Sequence, residues 1–137
     1  MIDEKALDSD LTELIEKKII LSNTEYNNSE YDKLEEELHD LEDSFLEKYG
    51  SYLEDALHEV HDEYCPDSDV LLPIAYLPNK VKKVEEGYEA DYTEGVYVEV
   101  DDYASNETKL VLLPKPTRIV LQIGKEQKEI VWELGKK

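Results

Sequence analysis

The stretch that most constrains the fold of this chain runs from Glu30 to Tyr64. Apolar residues recur there at steps of three and four, at Tyr31, Leu34, Leu38, Leu41 and Phe45. Side chains at this spacing share one face of an α-helix. Acidic residues crowd the first two turns, where the helix dipole favours negative charge. The stretch therefore predicts helical structure with one buried face and one acidic face.

Signals near the middle of this stretch predict that the helix breaks. Lys48 followed by Gly50 is a stop pattern, and Ser51 with Glu54 is a capping-box start. An unbroken helix would be about 50 Å long, whereas a domain of this size has a radius of gyration of about 14 Å. The apolar stripe also turns by roughly 75° after Gly50. We expect two helices, at about 30–49 and 52–64; the alternative is one long helix that projects and self-associates.

Residues 3–21 carry a similar pattern and predict a first helix. Leu7, Leu11 and Leu14 form its apolar stripe. The polar residues able to cap it are Asp8, Ser9 and Asp10. Because both helical stretches have an apolar spacing near 3.5 residues, we expect them to pack as an antiparallel hairpin.

After Cys65 the hydrophobic period changes from 3.6 to 2, which indicates β-structure. Pro66 ends the helical part, and the apolar run 70–77 predicts a strand that Pro73 restricts to a sheet edge or a bulge. Alternating residues predict further strands at about 80–85, 96–100, 109–113, 119–123 and 129–134.

The predicted fold class is α+β, in one domain covering residues 1–137. Its helical part spans about 3–65 and its β part about 69–134. The helical hairpin and a third short helix are expected to pack on one face of an antiparallel meander of about five strands.

The charge balance narrows the classes of partner. The chain has 15 Lys and Arg against 35 Asp and Glu, a net charge of −20, which disfavours direct binding to nucleic acid or to a membrane. Residues 1–69 hold a net −18, whereas residues 108–137 hold +4. Lys80, Lys82 and Lys83 are interpreted as the exposed rim of a strand. With a lone Cys65 and no secretory or membrane-spanning segment, we expect a cytoplasmic protein.

One set of residues has the chemistry of a metal site. Glu54, His58, His61 and Cys65 follow at i, i+4, i+7 and i+11 on one helix face, and all are zinc-compatible ligands. A single ion would take two or three of them and a further ligand. The candidates for that ligand are His39, Asp62 and Asp67. The alternative interpretation is a solvated helix face with Cys65 as a small buried residue. Cys65 is not expected to be a nucleophile, because a helix C-terminus and acidic neighbours both raise a thiol pKa.

No coherent catalytic set or phosphate-binding loop is present, which favours a non-enzymatic role. We predict a protein-interaction module whose acidic helical face binds a basic protein partner, as an inhibitor, an immunity protein or a nucleic-acid mimic does. The predicted partner-binding residues are Glu35, Glu36, Asp40 and Asp43 on the helix, with Tyr97, Glu99 and Asp101 on the sheet. The alternatives are a zinc-binding protein and a structural protein that self-associates, for example as a homodimer.

Overall fold

The longest element is one helix, α2 (Tyr31–Tyr64), which continues through Gly50 without interruption. The structure is a computed structural model, and it describes residues 3–78, 81–84, 87–100, 103, 107–125 and 127–134. The predicted break and the separate third helix are therefore wrong. Before Gly50 the helix buries Leu38 and Phe45, and after it Leu57 and Val60. The turn of the apolar stripe reflects different packing partners before and after Gly50 on one continuous helix.

Helix α1 (Glu4–Ser22) begins earlier than its predicted caps. Asp3 is the N-cap, and its carboxylate accepts from the backbone N–H groups of Lys5 and Ala6. The helix buries Leu7, Leu11, Leu14 and Ile15. α1 and α2 form the predicted hairpin, and the hydroxyl of Tyr49 crosses it to donate to Asp10 Oδ2 over 2.7 Å. The capping prediction at Asp8, Ser9 or Asp10 is wrong, because the helix already begins at Glu4 and all three residues lie inside it.

The apolar run after Pro66 forms no strand. Residues Pro73–Tyr76 form a short 3-10 helix instead, so the predicted edge strand at 70–77 is wrong. Pro73 occupies the first turn of that helix, where its missing N–H leaves no helical bond unmade. Tyr76 is fully buried and its hydroxyl accepts from the backbone N–H of Leu71. The segment is therefore held by its tyrosine and not by ladder hydrogen bonds.

Within the described residues, the β part contains six strands in two antiparallel sheets. Strands β1 (Val81–Val84) and β2 (Gly87–Ala90) pair with each other. The other four follow one another in a meander, in the order β3-β4-β5-β6. They are β3 (Val96–Val98), β4 (Thr108–Leu113), β5 (Arg118–Ile123) and β6 (Gln127–Glu133). The α+β prediction is confirmed, although one five-stranded meander was expected.

The two faces of the four-stranded sheet have different partners. Leu110, Leu112 and Ile119 belong to the core that includes both helices. The alternate residues Val111 and Val120, paired across β4 and β5, pack with Tyr88 and Ala90 of β2. Successive strand residues point to opposite faces, so β4 and β5 contribute side chains both to the core with the helices and to the group packed against β2. The β1–β2 hairpin thus covers part of the sheet face that lies away from the helices.

In the described part of the chain, neither helix combines the length and apolar character that crossing a bilayer requires.

Candidate functional site

His61, one of the four predicted zinc ligands, lies inside the protein. Its side chain is 2% exposed, and both ring nitrogens have partners. Nδ1 lies 2.9 Å from the carbonyl oxygen of Ser68, which can only accept. Nε2 lies 3.0 Å from the hydroxyl of Tyr76. The neutral tautomer with Nδ1–H satisfies both contacts, with Tyr76 donating to Nε2.

This network gives His61 a structural task. The Tyr76 hydroxyl accepts from Leu71 N–H at 3.0 Å and, with His61 in this tautomer, donates to the imidazole. The chain of hydrogen bonds ties the last turn of α2 to the linker and to the 3-10 helix. A buried polar network in which every member has a partner rigidifies its surroundings.

The other three predicted ligands lie in different environments. Cys65 is fully buried, and burial raises the pKa of its thiol to about 11, so it is protonated at neutral pH. The direction of that shift agrees with the expectation, but its cause is desolvation. Glu54 is partly buried and His58 is exposed.

The possible further ligands His39, Asp62 and Asp67 are exposed as well. Within the described ranges no group of three or more His, Cys, Asp or Glu converges on a common point. The zinc prediction stays a prediction, with no preformed ligand set to carry it.

The predicted acidic face forms a continuous stripe on α2. Glu36, Asp40 and Asp43 are exposed, and Glu47 extends the row by a further turn. These four residues follow at i, i+4, i+7 and i+11, so their side chains lie within an arc of about 60° over a length of about 16 Å. This acidic stripe (Glu36, Asp40, Asp43 and Glu47) points away from the buried Leu38, Phe45 and Tyr49. Glu35 lies beside it and is partly buried.

The predicted sheet residues lie on another element. Tyr97 is 58% exposed in the centre of β3, at one edge of the four-stranded sheet. Glu99 follows β3 and is exposed, and its backbone N–H donates to the hydroxyl of Ser68. Asp101 lies outside the described residues. The helix supplies the acidic stripe, and β3 supplies a separate exposed tyrosine.

A feature that sequence reasoning missed is a cleft between β2 and the sheet face it covers. The cavity has a volume of about 440 Å³. Val120, Gln122 and Ile130 come from the sheet, and Tyr88 and Ala90 come from β2. A neighbouring depression of about 370 Å³ shares Ala90 with the cleft. The two cavities are neighbours and share Glu89, Ala90 and Lys128 in their linings.

Two basic residues hold the cleft walls in place. Arg118 donates to the backbone carbonyls of Pro114, Pro116 and Tyr88, at 2.9, 3.0 and 2.6 Å. Lys128 Nζ donates to Glu89 Oε1 at 2.9 Å and to the carbonyl of Ala90 at 3.0 Å. The pKa of Glu89 is lowered, first by that hydrogen bond and by the charge of Lys128, and further by Lys82 and Arg118.

The sequence contains a signal for this region in Lys82 and in the positive balance of residues 108–137; Lys80 lies outside the described residues. The signal does not identify a site by itself, because the basic residues come from separate strands. Comparison of the chain with protein-family models, with curated proteins and with solved structures finds no match.

Proposed function

We propose that this protein is a small, non-enzymatic interaction module that presents the acidic stripe of α2 to a basic protein partner. The observation that carries the proposal is the row of four exposed carboxylates on α2. The members of the acidic stripe follow at helical spacing within one uninterrupted helix, so they are displayed together on its exposed side. Because these side chains lie on one helix, no loop has to become ordered when a partner binds. The affinity is therefore not reduced by the entropy cost of loop ordering.

The electrostatics of α2 favour association with a positive surface. The helix contains 13 Asp and Glu against two Lys. A field of this sign accelerates encounter with a basic protein and selects against acidic ones, while contributing less to affinity itself. An inhibitor, an immunity protein or a nucleic-acid mimic that occupies a basic cleft would use such a surface. The lone cysteine of the sequence supports a cytoplasmic location as part of the same proposal.

The proposal is tested with matched charge variants of the full chain. The triple variant Glu36→Gln, Asp40→Asn and Asp43→Asn removes three charges from the stripe. Its control is Asp55→Asn, Glu59→Gln and Asp62→Asn, three exposed carboxylates on a different side of the same helix. Both variants have the same net charge, so only the position of the carboxylates differs.

Immobilised protein is used to capture proteins from extract of the native host, and each capture is quantified by mass spectrometry. We expect the wild type and the control variant to retain the same basic protein. The stripe variant should retain at least fivefold less of it, a loss of roughly 1 kcal/mol in binding free energy. Raised NaCl should release it from all three. Equal retention by both variants, or retention that does not fall with salt, would refute the proposal. If the captured protein binds nucleic acid, duplex DNA should compete for it; absence of competition would remove the mimic version.

A further inference from the structure

The depression beside the cleft brings basic side chains together on an acidic molecule. The cleft itself is lined by two basic residues, Arg118 and Lys128, and by three carboxylates, Glu89, Glu129 and Glu133. Lys82 from β1, Lys125 from the β5–β6 turn and Lys128 from β6 all line the depression. Two carboxylates, Glu89 and Asp91, line it with them. The local balance is thus positive in a chain whose Asp and Glu outnumber its Lys and Arg by 35 to 15.

Both carboxylates already have donors. Glu89 Oε1 accepts from Lys128, and Asp91 Oδ1 accepts from the backbone N–H of Thr93 at 3.0 Å and from its hydroxyl at 2.9 Å. Lys82 and Lys125 form no ion pair within the described residues. Lys125 Nζ instead lies 5.8 Å from the ring centroid of Tyr92, a cation–π contact that holds it at the depression.

The adjoining cleft has a different character. Val120 and Ile130 line it with apolar side chains; Val120 is 5% exposed and Ile130 is 56% exposed. Gln122 also lines the cleft and is 2% exposed. Its Nε2 donates to the carbonyls of Asp91 and Glu94, both at 2.9 Å, which orients the amide. Its Oε1 is buried and accepts no hydrogen bond from the described part of the chain.

An acceptor of this kind indicates what the cleft would take. A buried polar atom without a partner is unfavourable by about 1–3 kcal/mol, so a ligand that donates to it gains that free energy on binding. Ammonium groups are common ligands of phosphate. A cavity of about 440 Å³ is also of the size that binds small organic molecules.

We propose that the depression and the cleft form one binding site for a small phosphate monoester with a flat, hydrogen-bond-donating ring, the class that includes nucleoside monophosphates. Lys82 and Lys125 bind the phosphate. The ring lies on Val120 and Ile130 and donates to Gln122 Oε1. Lys128 positions the wall between the two parts through Glu89 and Ala90. The site lies on β-strands and is independent of the acidic stripe on α2.

The test uses AMP as the probe, titrated into the full chain by calorimetry at low salt. Inorganic phosphate, ribose 5-phosphate and adenosine are the comparison ligands. We expect AMP to bind with a Kd below about 1 mM. It should bind at least tenfold more tightly than each comparison ligand, because each of these lacks a group whose contact is comparable to one charge-assisted hydrogen bond, roughly tenfold in Kd. Amide shifts in NMR spectra should move at Ala90, Tyr92, Val120 and Ile130 while those of α2 stay in place.

The variant Lys82→Gln with Lys125→Gln should weaken AMP binding tenfold or more. Lys33→Gln with Lys48→Gln, two exposed lysines of α2, is the matched control and should leave the affinity unchanged. Lys128 is left intact because its removal would loosen the β1–β2 hairpin.

No AMP binding at 5 mM, a concentration that would saturate most of a site of about 1 mM Kd, overturns the proposal. So does equal weakening by the control, or equal affinity for AMP and ribose 5-phosphate. The stripe variant described above should still bind AMP, so the two proposals fail separately.

Discussion

Asp8 connects two parts of the fold that are far apart in sequence. Its Oδ1 accepts from the backbone N–H of Lys115 at 2.8 Å and from the hydroxyl of Thr117 at 2.9 Å. Thr117 is fully buried, and Lys115 has a positive φ of 60° in the turn between β4 and β5. The carboxylate therefore anchors that turn to α1, where the sequence suggested only a candidate helix cap.

We expect Asp8→Ala to destabilise the protein by about 2 kcal/mol, because a buried hydroxyl and a turn N–H lose their charged acceptor. Ser9→Ala is the control, since Ser9 is the exposed neighbour on the same helix. Urea unfolding followed by circular dichroism measures both variants. Equal free energies of unfolding for the two variants would show that the turn does not depend on Asp8.

The protonation of Tyr49 is coupled to folding. Burial, together with the hydrogen bond to Asp10 and the charges of Asp10 and Asp3, raises the pKa of its hydroxyl to about 12. The unfolded chain has the ordinary tyrosine pKa of about 10. The folded state therefore binds the hydroxyl proton of Tyr49 more strongly than the unfolded state does. The stabilisation that the protonated hydroxyl contributes is complete below pH 10 and is lost as the pH rises through about 12.

We therefore expect the difference in unfolding free energy between wild type and Tyr49→Phe to shrink as the pH rises from 9 to 12. Other tyrosines with a raised pKa, among them Tyr52, Tyr64, Tyr76 and Tyr88, contribute to both curves and cancel in the difference. Urea unfolding of both proteins at a series of pH values measures the difference in unfolding free energy. A difference that stays constant with pH would contradict the assignment of the shift to Tyr49.

At the scale of single elements, α2 shows why local stop signals fail. Gly50 is buried inside the helix, and both halves of the helix have apolar partners. Tyr49 meets α1 through Asp10, and Tyr52 lies edge-on to Trp132 of β6, with ring centroids 6.1 Å apart. Tertiary packing of both halves outweighs the propensity of one glycine, which is about 1 kcal/mol relative to alanine.

Two glycines give a matched pair of substitutions. A Cβ at Gly50 would lie 3.7 Å from the nearest atoms of Leu46, which is ordinary contact. Gly50→Ala should therefore stabilise the protein by about 0.5–1 kcal/mol. At Gly95 φ is +110° and a Cβ would lie 2.6 Å from the carbonyl oxygen of Leu110.

Gly95→Ala should destabilise the protein by about 2 kcal/mol or more, through backbone strain and this clash. Thermal unfolding of both variants is the measurement. A Gly50→Ala variant less stable than wild type would indicate that α2 is bent or packed more closely there than the structure has it.

At the scale of the whole molecule, charge is unevenly distributed. The helices α1 and α2 together hold 18 Asp and Glu against five Lys. Three successive pairs in the acidic stripe are like-charged neighbours at i, i+3 or i, i+4, and each such pair is unfavourable by about 0.2–0.5 kcal/mol. Repulsion within the stripe thus lowers the stability of the folded protein.

We expect the melting temperature to rise as NaCl increases from about 0.01 to 0.15 M, because the Debye length falls from about 30 to 8 Å. The stripe variant Glu36→Gln, Asp40→Asn and Asp43→Asn should be more stable than wild type at low salt, by about 0.6–1.5 kcal/mol. Its melting temperature should also depend less on salt. A wild-type protein whose melting temperature is insensitive to salt would contradict repulsion within the helices.

The periodicity of the sequence by itself determined the α+β class, the helical hairpin and the strands of the meander. Burial of one face is imposed locally on every helix and strand, so the period of apolar residues records it. The acidic face of α2 followed from the same pattern, since the side opposite Leu38 and Phe45 has to be exposed.

Only the tertiary structure decided the continuity of α2, the 3-10 helix at Pro73–Tyr76 and the burial of His61. These features depend on contacts between segments distant in the chain, such as His61 with Tyr76. The placement of Lys82 and Lys125 around one depression has the same origin, because it requires the β1–β2 hairpin to pack on a sheet face formed later in the sequence. A local pattern records which side of an element is covered, and the tertiary structure determines which element covers it.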